Sequence, residues 1–306
     1  MIRTGRAALG IDVGGTTYGV VLLDAEGRVA DTLEDATPRG VPPALAVKSV
    51  AECARGLTER AGLTPRDLAG IGLAVPGSVD AERGVLRFSP NLAGWRDVPV
   101  AALAAEVLDA PVALEHDVRM AAFGESRRGA GAGASSFVCL TVGTGIGAAI
   151  VFDGRLYRGA TDAAGEIGHV TVVPDGELCG CGRHGCLETV ASGRAIAVRA
   201  GKPTAQDVFA AAAAGDARCA AIVAEAGAAL ASALTVLVNV LNPDVIAVGG
   251  GVATAGCALF DPLRAAVRAA AWAPGADAVR IVPAELGTRA GAIGAALFAA
   301  EARRGC

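Results

Sequence analysis

Cys179, Cys181 and Cys186 fall within one short stretch, Cys179-Gly180-Cys181-Gly182-Arg183-His184-Gly185-Cys186, and His169 stands upstream of it. Three thiolates and one imidazole satisfy a tetrahedral Zn²⁺ site, and the interleaved glycines let a short loop wrap the ion. His184 competes with His169 for the fourth position. A site closed in this way leaves no place for an activated water, so the zinc is expected to be structural. The remaining cysteines, Cys53, Cys139, Cys219, Cys257 and Cys306, are scattered. That is not a disulfide framework, and it suits a reducing compartment.

Carboxylates bracket this loop. Glu166, in Gly165-Glu166-Ile167-Gly168-His169, and Glu188, directly after Cys186-Leu187, can accept hydrogen bonds from a polyhydroxylated ligand. Asp117 ends the run Leu114-Glu115-His116-Asp117. A carboxylate at the C-terminal end of a strand in an open α/β sheet can serve as a general base, or equally cap the helix that follows. Three glycine-rich turns suit anions. Asp12-Val13-Gly14-Gly15-Thr16-Thr17 and Gly143-Thr144-Gly145 offer amides and hydroxyls to a phosphate, and Gly249-Gly250-Gly251 allows close approach of a ribose or a flat ring. Two phosphate turns, one per half of the chain, are what a nucleotide clamped between two domains requires.

The elements that must position these groups repeat. Residues 9–29 and 140–156 each read as an apolar strand, a Gly/Thr turn, a second apolar strand and an Asp/Gly turn. After the first, helical spacing over 41–62, a buried strand at 70–75 ended by Pro76-Gly77, a helix over 99–109 and a strand at 111–115 alternate as in an α/β fold with a largely parallel sheet. After the second come helices near 190–200, 204–214, 217–241 and 261–271, a strand at 244–248 and a closing helix at 291–304. A hinge is expected within 118–135, where Gly129-Ala130-Gly131-Ala132-Gly133 is flexible. Gly143-x-Gly145-x-x-Ala148 formally fits a dinucleotide fingerprint, with Glu166 downstream. That fingerprint demands a helix next, and Ala149-Ile150-Val151-Phe152 reads as a strand.

Composition removes other classes. The 306 residues are 53% hydrophobic and 19% charged, enough apolar matter for a core and against disorder. A formal charge of -4 supplies no basic field for nucleic acid. The only lysines are Lys48 and Lys202, and Gly201-Lys202-Pro203 lacks the frame of a Walker A loop. Asp12 interrupts the first apolar run too early for a secretory signal, so a cytoplasmic protein is expected. Residues 226–243 carry no formal charge but contain Ser232, Thr235, Asn239, Asn242 and Pro243, which favours a buried helix over a membrane span.

Together these motifs resemble the ROK sugar kinases of the actin-like ATPase superfamily over nearly the whole chain. Asp12-x-Gly14-Gly15-Thr16 is similar to the family's first phosphate motif and Gly143-Thr144-Gly145-x-Gly147 to its second. Pro90-Asn91-Leu92 with Trp95 is similar to its sugar-contacting loop, and the spaced pattern from Gly165 to Glu188 to its zinc and sugar signature. The resemblance implies a two-lobed α/β fold, ribonuclease H-like, with a nucleotide and sugar cleft between the lobes. Residues 1–117 with the C-terminal helix 291–306 would form one lobe, and 118–290 with the zinc loop the other. It implies ATP-dependent phosphorylation of a hexose at its 6-hydroxyl, with glucose as substrate, Asp117 as base, and Mg²⁺ and structural Zn²⁺ as cofactors. Gly77, Asn91, His116, Asp117, Glu166, His169 and Glu188 would meet the sugar. Asp12, Gly14, Gly15, Thr16, Thr17, Gly143, Thr144, Gly145, Gly249, Gly250 and Gly251 would meet the nucleotide, and His169, Cys179, Cys181 and Cys186 the zinc. A homodimer or homotetramer without nucleic-acid or membrane partners is implied as well.

The chain departs from the family where His116 replaces the asparagine that precedes the catalytic aspartate, and where Val118-Arg119 follows it. That asparagine touches the sugar, so mannose, fructose, allose or an N-acetylhexosamine stand beside glucose, and polyphosphate beside ATP. The family also contains sugar-responsive repressors with a helix-turn-helix ahead of this core. Only eight residues precede Leu9, leaving a non-catalytic sugar sensor as the alternative from that class.

Overall fold

Short apolar strands punctuated by glycine alternate with amphipathic helices from Ala8 to Ala302, in a computed structural model that describes residues 5–303. In chain order the elements are β1 (Ala8–Val13), β2 (Thr17–Leu23), β3 (Val29–Ala36), α1 (Pro43–Arg60), β4 (Ile71–Val75), β5 (Ser78–Asp80), β6 (Val85–Phe88), β7 (Arg96–Val98), α2 (Val100–Leu108), β8 (Val112–His116) and α3 (Asp117–Arg128). There follow β9 (Ser136–Val142), β10 (Ile146–Phe152), β11 (Arg155–Tyr157), α4 (Leu187–Ala191), α5 (Gly193–Ala200), α6 (Ala205–Ala213), α7 (Ala217–Leu241), β12 (Val245–Gly249), α8 (Cys257–Ala270), α9 (Ala273–Ala278), β13 (Arg280–Pro283) and α10 (Ala290–Ala302). They form two units, one of residues 1–128 with 288–306, the other of 129–287.

The first unit holds a sheet in the order β3-β2-β1-β4-β8, with β1, β4 and β8 parallel and the β1-β2-β3 meander antiparallel. A small antiparallel sheet, β5-β6-β7, extends from the end of β4. Leu9, Ile11, Leu73 and Leu114 meet Val47, Val50, Ala54 and Leu57 of α1 in a core on one face. The other face is stripped to glycine so that α10 can lie against it. A Cβ on Gly10 would stand 1.8 Å from the Ala292 carbonyl oxygen, and one on Gly72 would stand 2.1 Å from that of Ala295. Backbone cannot yield as a side chain does, so Gly72→Ala is expected to lower stability by about 1–3 kcal/mol, seen as a lower guanidinium midpoint.

The second unit repeats the plan. Its sheet runs β11-β10-β9-β12-β13, with β9, β12 and β13 parallel and β9-β10-β11 antiparallel. The two similar sequence segments are therefore the two meanders. Asp216 caps α7 by accepting from the Arg218 and Cys219 amides, and Asn242 ends it in the left-handed conformation. This helix has the length and hydropathy of a membrane span, but one of its faces, including Ile222, Leu230, Leu234 and Val238, lies in the core of the unit.

The unit boundary corrects the expected one after Asp117. α3 stays with the first unit because it packs along α10. A Cβ on Gly294 would meet the Met120 carbonyl oxygen at 1.7 Å, Phe123 and Phe298 stack edge to face at 5.5 Å, and Arg127 pairs with Glu301 at 2.8 Å. The second unit likewise closes at Gly287, and the ends of the expected lobes at 1–4 and 304–306 lie outside the described residues.

Candidate functional site

In the first unit, Asp12, Gly77, His116 and Asp117 sit at or just beyond the C-terminal ends of the parallel strands β1, β4 and β8. The turn after Asp12 is a tight hairpin in which the Gly14 amide donates to the Thr17 carbonyl at 2.9 Å. Its carbonyls are tied back. Gly14 accepts from the Thr37 hydroxyl at 2.8 Å, Gly15 from Arg39 Nε at 3.0 Å and Thr16 from the Thr37 amide at 2.9 Å. The Gly15 and Thr16 amides have no partner among the described residues, the arrangement an anion needs. Thr16 and Thr17 are exposed beside them.

Gly77, at φ 115°, lets the chain after β4 come within contact of Phe88, where a Cβ would stand 2.3 Å from the carbonyl oxygen. Its part is to hold the next loop. There Ser89 Oγ accepts from the Asn91 and Leu92 amides, both at 3.2 Å, while Leu92 and Trp95 are buried beneath. Asn91 is exposed, and its carbonyl oxygen lies 2.7 Å from where a Gly15 Cβ would be, so this loop and the phosphate turn abut.

Asp12 is half-buried and makes no hydrogen bond or ion pair among the described residues. Burial, with the neighbouring charge of Asp117, pushes its carboxyl from 3.8 up to about 8. An unpaired carboxylate beside a second one is a place for a hard cation, and Mg²⁺ is typically held by one or two carboxylates together with substrate phosphates. Between about pH 4 and pH 8 the folded chain keeps a proton that the unfolded chain has lost, so this group erodes stability as pH rises through that interval. Asp12→Asn is therefore expected to melt higher than the unchanged protein at about pH 8, the two curves converging below about pH 4, in metal-free calorimetry. Asp12 and Gly14 also line a cavity of about 190 Å³ with Thr17, Glu34 and Arg289.

In the second unit, the Gly143-Thr144-Gly145 turn joins β9 to β10, the strand that excludes a dinucleotide fingerprint. The Gly143 amide donates to the Gly145 carbonyl at 2.9 Å, and the Gly193 amide donates to Gly143 at 2.7 Å. Glu188 reaches the same turn from α4. Its Oε2 accepts the Ile146 amide at 2.9 Å and occupies the space a Gly145 Cβ would need, at 2.5 Å, while Oε1 keeps free acceptor capacity. Gly143, Thr144 and Gly251 line a cavity of about 490 Å³ whose walls include Arg194, Lys202 and Gln206. Gly249 and Gly250 stay outside it. Gly250, at φ 84°, instead packs on the end of β9, where a Cβ would stand 2.4 Å from the Val142 carbonyl oxygen.

His169, Cys179, Cys181 and Cys186 converge, with their ligand atoms all within 4.8 Å of one another. Cys179 Sγ lies 3.6 Å from His169 Nδ1, and Cys181 Sγ lies 3.6 Å from Cys186 Sγ. Zn–S bonds of about 2.3 Å in a tetrahedron imply ligand separations near these, so the four residues fit zinc. His184 is not among them. Its Nδ1 turns to the Gly176 carbonyl at 3.1 Å on the exposed side. Burial, then the neighbouring thiols, push the Cys186 thiol up to about 12, while hydrogen bonding from the Arg183 amide lowers that of Cys181. Crowded sulfurs of this kind ionise together only around a cation.

Gly165, at φ 98°, and Gly168 bring the next segment onto β10, with hypothetical Cβ positions 2.0 Å from the Ala148 and 2.2 Å from the Ile146 carbonyl oxygens. His169 is thereby aimed two ways, Nδ1 at the sulfurs and Nε2 toward Glu166, whose Oε2 is 4.0 Å away. At that separation the two are beyond hydrogen-bond reach, so the Glu166 carboxylate and the outer ring nitrogen of His169 both remain for other partners.

A family model described as ROK matches residues 8–302. The chain belongs to the ROK family. Among its ROK relatives is the glucokinase of Halalkalibacterium halodurans, 38% identical over 306 residues, covering 94% of this chain and 92% of that protein. The crystal structure of the ROK hexokinase of Thermus thermophilus superposes with a TM-score of 0.86 at 35% identity, covering 98% of this chain and 100% of that one. The ROK glucokinase of Streptomyces griseus, in complex with glucose and AMPPNP, superposes with a TM-score of 0.81 at 32% identity, covering 96% and 99%. Each unit here thus carries the mixed α/β sheet of the actin-like ATPase fold. Arg194, Lys202, Gln206 and Arg289 escape a reading of ROK motifs because none lies in one. The single sequence signal is that Lys202 is one of only two lysines.

Proposed function

We propose that this protein transfers the γ-phosphoryl group of ATP to the 6-hydroxyl of glucose. The observation that carries the reading is the Asp12–Asp117 pair at the strand ends of the first unit, one carboxylate held ready for a cation and the other half-buried at the start of α3. Asp117 takes the proton of the 6-hydroxyl as that oxygen bonds to the γ-phosphorus and ADP leaves with the bridging oxygen. Phosphoryl transfer asks a protein mainly for alignment and charge neutralisation. The amides of Gly15 and Thr16 in the first unit, and the Gly143–Gly145 turn with Lys202 and Arg194 in the second, supply donors suited to phosphates.

Asn91 and Asp117 in the first unit, and Glu166, His169 and Glu188 in the second, have the acceptors and donors that sugar hydroxyls need. Asp12 would hold Mg²⁺, which supplies charge neutralisation on the phosphates when bound. His169, Cys179, Cys181 and Cys186 would hold Zn²⁺, which supplies folding energy to the loop carrying Glu166 and Glu188. ATP as donor and reduced thiolates both fit the cytoplasm, and a homodimer or homotetramer accompanies the reading. The glucokinase and hexokinase relatives support it.

The test is ADP release across glucose, mannose, fructose, allose and N-acetylglucosamine, with ATP and with polyphosphate. The highest kcat/KM is expected for glucose with ATP. A larger value for another sugar would reassign the substrate, and sugar binding without ADP release would make the protein a sensor.

A further inference from the structure

The Gly15 and Thr16 amides of the first phosphate turn have no partner among the described residues. A trans peptide is planar with its N–H and C=O pointing opposite ways, so whatever holds a carbonyl also aims the amide of the next residue. The carbonyl of Gly14 thus aims the Gly15 amide, and that of Gly15 aims the Thr16 amide. Both carbonyls are held by one short segment after β3. Thr37 Oγ1 donates to the Gly14 oxygen at 2.8 Å, and Arg39 Nε donates to the Gly15 oxygen at 3.0 Å, with Nη2 on the same oxygen.

The turn cannot lock itself. Glycine lets its flanking peptides rotate at little cost. Side chains are barred here, since a Cβ on Gly14 would stand 2.8 Å from the Thr17 carbonyl oxygen and one on Gly15 2.7 Å from that of Asn91. The holding segment is itself fixed. The Thr37 amide donates to the Thr16 carbonyl at 2.9 Å, which extends the β2–β3 pairing by one residue. Thr37 is buried, the Pro38 ring disfavours a helical backbone there, and Gly40, at φ 71°, turns the chain toward α1. Arg39 is exposed and makes no ion pair among the described residues, so no carboxylate competes for its guanidinium.

We infer that Thr37 and Arg39 are positioning residues of the phosphate turn: their bonds to the Gly14 and Gly15 carbonyls fix both peptides with the Gly15 and Thr16 N–H groups presented to a phosphate oxygen. The inference rests on the reading of this turn as a phosphate site for ATP. Without the two donors, each peptide is free to rotate and to replace an anion-binding N–H with a carbonyl, whose dipole repels a phosphate. The Arg39 bond carries charge, so it also polarises its peptide and strengthens the Thr16 N–H as a donor.

The experiment measures binding of AMPPNP with Mg²⁺ by calorimetry, and KM for ATP and for glucose, in Arg39→Ala, Thr37→Val and Thr37→Ser once melting curves have been compared. AMPPNP is expected to bind about tenfold more weakly to Arg39→Ala, which loses a charge-assisted hydrogen bond, and about fivefold more weakly to Thr37→Val, which loses a neutral one. KM for ATP should rise in step, with KM for glucose unchanged. Thr37→Ser keeps the hydroxyl and is expected to bind as the unchanged protein does. Going from about 0.1 M to about 1 M salt should leave the Arg39→Ala deficit in place, because salt screens the pull of a distant cation but not the geometry of a peptide. Arg39 is exposed, so its variant decides the matter even where Thr37→Val melts early. Unchanged affinity in either Arg39→Ala or a folded Thr37→Val overturns the inference, as does a deficit that salt abolishes or a change confined to KM for glucose. Thr37→Ser as weak as Thr37→Val overturns it too. An unchanged protein that fails to bind AMPPNP removes the reading of the turn, and the inference with it.

Discussion

Asp117→Asn is expected to lower kcat for glucose by about 10²–10⁴-fold, the range of a lost general base, with the fold intact. The amide keeps an oxygen for the Val118 N–H, so the start of α3 retains its 2.7 Å contact. What disappears is the capacity to take a proton. The substitution also removes the like charge that helps push Asp12 up to about 8, so the melting temperature at neutral pH should hold or rise. Loss of turnover with an unchanged or higher melting curve separates a chemical role from a structural one. Equal losses of both would make Asp117 a helix cap and nothing more.

Cys186→Ser is expected to have the second large effect, on metal content and sugar binding together. Cys186 is fully buried, precedes α4 directly, and its neighbour Glu188 is tied to the Ile146 amide. Without the thiolate, the ion is lost and the segment holding Glu166, His169 and Glu188 loses its pin. Bound zinc should fall from about one per chain to near none by elemental analysis, since structural sites are closed and need all four ligands. KM for glucose should rise about 10–100-fold, the scale on which metal-site support acts. The strand core of the second unit does not involve the ion, so the variant should still fold, with faster amide exchange confined to residues 165–188. Full zinc content and wild-type KM in Cys186→Ser would exclude the ligand set.

Much of this was written locally in the sequence. The three cysteines lie so close together that a metal loop is legible without any fold, and each phosphate turn is flanked by its own two strands. What could not be read depends on contacts remote in the chain. α3 belongs to the first unit because Gly124, Phe123 and Arg127 meet α10, whose residues come at the far end of the sequence. β5, β6, β7 and β13 are three or four residues long, too short to show a period, and exist through their sheet partners. Gly249-Gly250-Gly251 looks like one ligand turn, yet only Gly251 lines the cavity, because Gly250 is consumed by packing on Val142. The choice between His169 and His184 turned on direction, which spacing alone does not encode: one ring points at the sulfurs, the other at Gly176.

The most direct test of the central claim is to follow ATP, ADP and ¹³C-labelled glucose together by phosphorus and carbon NMR. One sugar phosphate should form for every ADP, with phosphorus coupled to carbon 6. ADP appearing without sugar phosphate, or phosphorus coupled to any other carbon, would contradict it.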